Sequence, residues 1–143
     1  MFYNKHLQLS VNSIDVIFDI NLKYKKSFVI GDSGTGKSLF CEVLRMLKIN
    51  AELNSEKSDV LDMVLLNYTT TNFDLSQYKN KLIVIDNWDL LCTLNSSLAL
   101  DVYLNTDNAF LIFGRNCDEL HLSMHQIGRF KRDGNRVYLE YLK

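Results

Sequence analysis

The chain has no excess of either charge, no hydrophobic run long enough to cross a bilayer, no C-x-x-C pair and no proline. Sixteen Lys and Arg stand against 17 Asp and Glu, a formal net charge of -1, so no global basic field exists to hold nucleic acid or an anionic membrane surface. Any such partner must be met locally. No run approaches the ~18 apolar residues of a membrane span. Residues 1–10 mix Asn, Lys, His and Gln with single apolar residues and hold no signal-peptide core. A soluble, cytoplasmic protein without membrane contact is therefore expected. Cys41, Cys92 and Cys117 are odd in number and far apart, which argues against a disulfide framework and for a reducing compartment with core thiols. The missing proline carries no functional weight, and no internal repeat or low-complexity tract is present. With 143 residues and 47% hydrophobic content, the chain suffices for one core but not two, so a single domain over residues 1–143 is expected.

What is present alternates. Leu7, Leu9 and Val11, then Ile14, Val16, Phe18 and Ile20, flank Asn12-Ser13 in the pattern of an antiparallel entry hairpin. Ser27-Phe28-Val29-Ile30 is a short apolar run ending in glycine, as in a parallel strand covered on both faces. Over residues 37–48, Leu39, Phe40, Val43, Leu44 and Leu47 repeat at helical spacing. Val60, Leu61, Met63, Val64, Leu65 and Leu66 fit a buried helix or a buried strand, and Ser58 or Asp59 as a cap tilts the reading toward helix. Residues 69–80 read as a connecting loop. Leu82-Ile83-Val84-Ile85 is a second buried strand, Leu90 to Val102 a helix broken near Asn95-Ser96, and Phe110-Leu111-Ile112-Phe113 a third strand. A second hairpin closes the chain, turning at Asp133-Gly134 between residues 127–132 and the alternating Val137, Leu139 and Tyr141. Strands alternating with helices predict an α/β fold with a mainly parallel sheet, flanked by these two antiparallel additions.

Gly31-Asp32-Ser33-Gly34-Thr35-Gly36-Lys37-Ser38 satisfies G-x-x-x-x-G-K-[ST], the Walker A pattern, between a buried strand and an amphipathic helix. Glycines without Cβ let such a loop wrap so that backbone N–H groups point inward at a phosphate, and the helix adds its positive N-terminal end. Lys37 can reach the β and γ oxygens as a point charge, and the Ser38 hydroxyl is placed to ligate Mg²⁺. The expected nucleotide-contacting set is Gly31, Asp32, Ser33, Gly34, Thr35, Gly36, Lys37, Ser38 and Leu39. Asp86 ends four aliphatic residues, so its carboxylate would emerge at the carboxyl edge of the sheet, where ligands of open α/β folds collect. A solvated loop carboxylate or a helix cap is the alternative.

Taken together, this loop, the strand ending at Asp86 and the strand at residues 110–113 resemble the core of P-loop ATPases, and the entry hairpin followed by GDSGTGKS is similar to the start of an ABC-type or AAA-type ATP-binding domain. The likeness covers about two thirds of the chain, and only the loop is highly specific. It implies a three-layer P-loop sandwich, with Asp86 as the Walker B-like carboxylate that joins Ser38 in holding Mg²⁺ from a neighbouring strand. It further implies a polar sensor after the third strand, for which Arg115 is the candidate, an ordinary surface arginine being the alternative. Lys37, Asp86 and Arg115 form the expected catalytic set.

Asn87 stands where active members of these families carry glutamate, so slow or partner-dependent hydrolysis is expected, with Asp89 or Glu119 as substitutes. Leu122-Ser123-Met124-His125-Gln126 lacks the glycines of the ABC signature and follows the Walker B-like strand instead of preceding it. Asn80-Lys81 lacks the aspartate of the guanine-reading N-K-x-D element, which favours ATP, and so short a chain leaves no room for the lid of a nucleotide kinase. Two functions remain. One is a small ATPase completed by a protein partner or a second copy; the other is a nucleotide-gated switch in which ATP orders residues 69–80 around a protein or nucleic-acid contact. Weaker patterns are Cys117, His121 and His125, which would share one face of a helix with zinc-ligand chemistry, and the basic Arg129, Lys131, Arg132 and Arg136, which could meet a phosphate backbone or simply keep an edge strand soluble.

Overall fold

Alternating burial builds one curled, mixed sheet of eight strands, accompanied by three α-helices among the described residues. The computed structural model describes residues 2–31, 36–54, 59–69 and 74–143. Strands β1 (Phe2–Val11) and β2 (Ile14–Tyr24) pair antiparallel across the two-residue turn Asn12-Ser13, and Val16, Phe18, Ile20 and Leu22 all face inward. Next come β3 (Lys26–Ile30), helix α1 (Lys37–Leu53), β4 (Met63–Leu66) and β5 (Leu82–Ile85). Helices α2 (Trp88–Leu94) and α3 (Leu98–Leu104) lead to β6 (Ala109–Phe113), and β7 (Ile127–Asp133) with β8 (Arg136–Tyr141) closes the chain. The spatial order is β1-β2-β8-β7-β3-β6-β5-β4. Every pairing from β7 to β4 is parallel.

The C-terminal hairpin is the main departure from the sequence reading. It does not flank the sheet; it lies inside it, β8 pairing parallel with β2 and β7 parallel with β3. The reason is burial. Phe28 and Val29 of β3 are fully buried on opposite faces, and an uncovered β3 edge would leave a row of backbone donors and acceptors beside a dry core. The hairpin satisfies that edge and contributes Phe130 and Val137 to the core. Its turn is Gly134-Asn135, one residue later than expected, with Gly134 at φ 63. Tyr141 fastens its open end, where the chain crosses from β2 to β3. The Tyr141 hydroxyl lies 2.7 Å from Ser27 Oγ and accepts from the Lys23 amide at 3.0 Å.

Two further boundaries differ. Helix α1 runs five residues past Lys48, because Ala51 continues the 40-44-47 stripe onto the sheet and is buried. The ambiguous run resolves against helix over residues 63–66: Asp59–Asp62 forms one 3₁₀ turn and Met63–Leu66 is the outer parallel strand on β5. β-sheet pairing with Leu82 to Ile85, not local periodicity, decides this.

The sheet separates two apolar clusters. On one face α1 packs with Leu7, Phe18, Val29, Val84, Leu111, Phe113, Phe130 and Val137; on the other, α2 and α3 pack with Phe28, Ile83, Ile85, Phe110 and Ile112. Phe40, in the first turn of α1, is the hub of the first cluster. Its ring centroid lies 5.3 Å from Phe18, 5.6 Å from Phe113 and 5.8 Å from Phe130. The first and third are edge-to-face and the second is tilted, and aromatic pairs of this kind add about 0.5–1.5 kcal/mol each beyond area burial. No helix among the described residues is long and apolar enough to cross a membrane.

These contacts set two expected stabilities. Phe40→Ala should lower unfolding free energy by about 3–5 kcal/mol in urea titration, because it empties the hub of a packed cluster. Tyr141→Phe should cost only about 1 kcal/mol, the net value of its hydroxyl bonds.

Candidate functional site

Three parallel strands deliver side chains to the same carboxyl edge. Beyond β3 stands Gly31, at φ 146, and Gly36 follows at φ 103 as the cap of α1. Both values lie where an L side chain is strained, so glycine is required at these two positions. The Gly36 carbonyl accepts the first helical bond, from Phe40 N at 2.9 Å. Among the described residues no side chain caps the first turn of α1 and no acidic residue occupies it, so the helix begins with its amide donors and positive dipole end. Asp32, Ser33, Gly34 and Thr35 lie outside the described residues, so the amides of that part of the loop are not part of this geometry.

An open cavity of about 250 Å³ is lined by Gly31, Lys37 and Ser38 from the loop and α1, Asp86, Asn87 and Asp89 from the end of β5 and the start of α2, and Phe113, Gly114 and Arg115 from the end of β6. Lys37, Ser38, Asp86 and Arg115, singled out separately in the sequence, thus meet around one space. The Leu39 side chain does not line it and packs half-buried against the α1 cluster. The family likeness implied that β5 is the immediate neighbour of β3; instead β6 lies between them, so the strand leading to Arg115 separates those leading to Gly31 and Asp86.

The electrostatics are mixed. The Lys37 ammonium donates to the Gly31 carbonyl, folding back across the loop. Partial burial raises the Asp86 carboxyl above its ordinary range, against the opposing pull of Lys37. Burial likewise raises the Cys41 thiol behind it, helped by the Asp86 charge, so Cys41 is an inert core thiol. Cys92 is pushed up to about 11, mainly by burial.

Of the two candidate substitutes for the missing glutamate, the fold brings Asp89 to the cavity and leaves Glu119 away from it. Asn87, at φ 58, turns the chain and caps α2 by accepting from Leu90 N at 3.4 Å. Asp89 lines the cavity, yet its carboxylate is engaged with backbone: Oδ2 accepts from Arg115 N at 2.8 Å and Oδ1 from Asn116 N at 3.1 Å. Glu119 is exposed in a separate 3₁₀ turn and is absent from the lining. Sequence reasoning missed the role of Asp89 because nothing local couples residue 89 to residues 115 and 116. It also missed Gly114, where an added Cβ would meet Trp88 Cβ at 2.8 Å and Phe28 Cζ at 2.9 Å.

Other expected sites dissolve or move. Cys117, His121 and His125 do not share a helix face, because residues 118–120 and 124–126 are short 3₁₀ turns separated by His121 at φ 53, whose ring packs on Tyr103. Among the described residues no group of three His, Cys, Asp or Glu could hold a metal ion. Residues 74–80 precede β5 and therefore lie at the sheet edge opposite the cavity, with Leu75 buried; residues 70–73 lie outside the described residues. Of the basic cluster, Arg129 faces Glu140 across the ladder, Arg136 donates to Asp19 at 2.8 Å, and Arg132 donates to the Gly134 carbonyl. Lys131 pairs in register with Tyr138.

No family model matches the chain, and neither the curated proteins nor the solved structures offer a match.

Two expectations follow from this geometry. Gly114→Ala should destabilise by about 1–3 kcal/mol through overpacking against Trp88 and Phe28, read as a lower denaturation midpoint. Asp86 carries a raised folded pKa, so its ionisation opposes folding: stability falls as pH rises from the ordinary carboxylate range through the folded value. Asp86→Asn should therefore raise the melting temperature of the ligand-free protein at neutral pH, and the advantage should vanish in acid.

Proposed function

We propose that this protein binds ATP with Mg²⁺ in the cavity at the carboxyl edge of the sheet and hydrolyses it slowly, or quickly only when a partner or a second copy supplies a carboxylate. The observation that supports this reading is the convergence of Lys37, Ser38, Asp86 and Arg115, from three strand ends, around one open cavity beside the start of α1. Helices on both faces of the parallel strands support the finer reading of the fold as a P-loop three-layer sandwich.

The donor set suits the ligand. Lys37 and the α1 N-terminus supply positive charge to phosphate oxygens, and Arg115, at the end of the neighbouring β6, supplies a guanidinium. The Ser38 hydroxyl and Asp86 carboxylate are oxygen donors in the same space, the chemistry Mg²⁺ prefers. The ion would neutralise phosphate charge there and would hold Asp86 ionised against its burial. Slow turnover would follow from the engagement of the two residues after Asp86 that line the cavity, since Asn87 caps a helix and Asp89 accepts from backbone. That same arrangement favours a second reading, a nucleotide-gated binding switch without significant turnover.

A melting curve with Mg-ATP at 100 times Kd should show stabilisation by about 2.7 kcal/mol, with AMP and the Lys37→Ala variant giving no shift. Absence of a shift with any triphosphate overturns the proposal. Single-turnover assays then divide the two readings: a phosphate burst lost in Lys37→Ala and Asp86→Ala supports the ATPase, and tight binding without phosphate release supports the switch.

A further inference from the structure

A carboxylate on the wall of a polyphosphate cavity is a liability, because two like charges a few ångströms apart repel strongly where water is partly excluded. Asp89 nonetheless lines the cavity. Its two oxygens are not turned toward a ligand; they accept the amides of Arg115 and Asn116 at 2.8 and 3.1 Å, 26 and 27 residues along the chain. The turn so gripped has further anchors. Gly114 is wedged against Trp88 and Phe28 with no space for a Cβ, and Asn116 Oδ1 accepts from Asp118 N at 2.8 Å. Asp89 itself is anchored in the first turn of α2, next to the buried Trp88 and immediately beyond the Asp86-Asn87 corner.

We infer that Asp89 is a positioning residue that clamps the Arg115 turn to the start of α2, so that the guanidinium is held for the terminal phosphate of a nucleoside triphosphate and the site discriminates triphosphate from diphosphate. This rests on reading the cavity as a polyphosphate site. The clamp joins the turn after β6 to the start of α2, so loss of the terminal phosphate would be felt by a turn already coupled to α2. The carboxylate's cost in repulsion is reduced because both oxygens accept N–H donors.

The sign of one substitution separates this role from plain electrostatics. If Asp89 were only a negative charge near the ligand, removing it would tighten Mg-ATP binding. As a clamp, its removal loosens it. Calorimetric titration of wild type, Arg115→Ala, Asp89→Ala, Asp89→Asn and the double alanine variant with Mg-ATP and Mg-ADP reads the difference. Expected are about tenfold weaker ATP binding in each alanine variant, ADP affinity within about twofold of wild type, and no further loss in the double variant, as for residues acting through one contact. Asp89→Asn, which retains one acceptor, should fall between and carries the same test if Asp89→Ala fails to fold. Tighter or unchanged ATP binding in the Asp89 variants, equal losses for ATP and ADP, or losses that multiply in the double variant would each overturn the inference. Wild-type protein that takes up neither nucleotide overturns the polyphosphate reading itself, a result distinct from wild-type binding with an unaltered ATP-to-ADP preference in the variants.

Discussion

Packing of Phe40 against three other phenylalanines is the contact on which the rest of this structure depends. Phe18, Phe113 and Phe130 come from β2, β6 and β7, and all three rings stand within 6 Å of the Phe40 ring. Phe40 lies three residues after Lys37, and Phe113 lies two residues before Arg115. One apolar cluster therefore fixes both the start of α1 and the turn that faces it across the cavity. A polar site of this kind needs such a floor: exposed charged side chains cannot hold their own geometry against solvent, and rigid elements behind them supply it.

Above that floor the site balances opposed charges. Lys37 and Arg115 and the positive end of α1 meet Asp86 and Asp89 within a cavity of about 250 Å³. The two carboxylates are handled differently. Asp86 is partly desolvated and left with Lys37 as its main compensating charge, which makes its ionisation costly. Asp89 is satisfied by two backbone amides and is structural in its immediate chemistry. Identical side chains three residues apart thus do different work because one ends a strand in a half-buried corner and the other begins a helix within reach of a neighbouring turn.

The sheet's arrangement explains how distant segments reach this edge. Inserting the C-terminal hairpin between β2 and β3 pairs both edges of β3, so the strand that leads to Gly31 has no exposed edge. The hydroxyl of Tyr141 closes the arrangement onto Ser27, 114 residues earlier. Contacts of that span are absent from any local window of sequence, yet they decide which strands are neighbours.

The amino-acid sequence by itself determined the elements and the chemistry of the loop. Period-two alternation placed the entry hairpin, unbroken aliphatic runs placed β3, β5 and β6 within a residue, and the glycines at 31 and 36 sit where positive φ is needed, because these features depend on each residue and its near neighbours. Tertiary structure alone decided that residues 63–66 form a strand, that β6 separates β3 from β5, that the last hairpin is internal, and that Asp89 grips the Arg115 turn. Each of those outcomes is set by hydrogen bonds and packing between segments from about 20 to more than 100 residues apart, whose energies are comparable to the local preferences they override and leave no mark on the periodicity of either partner.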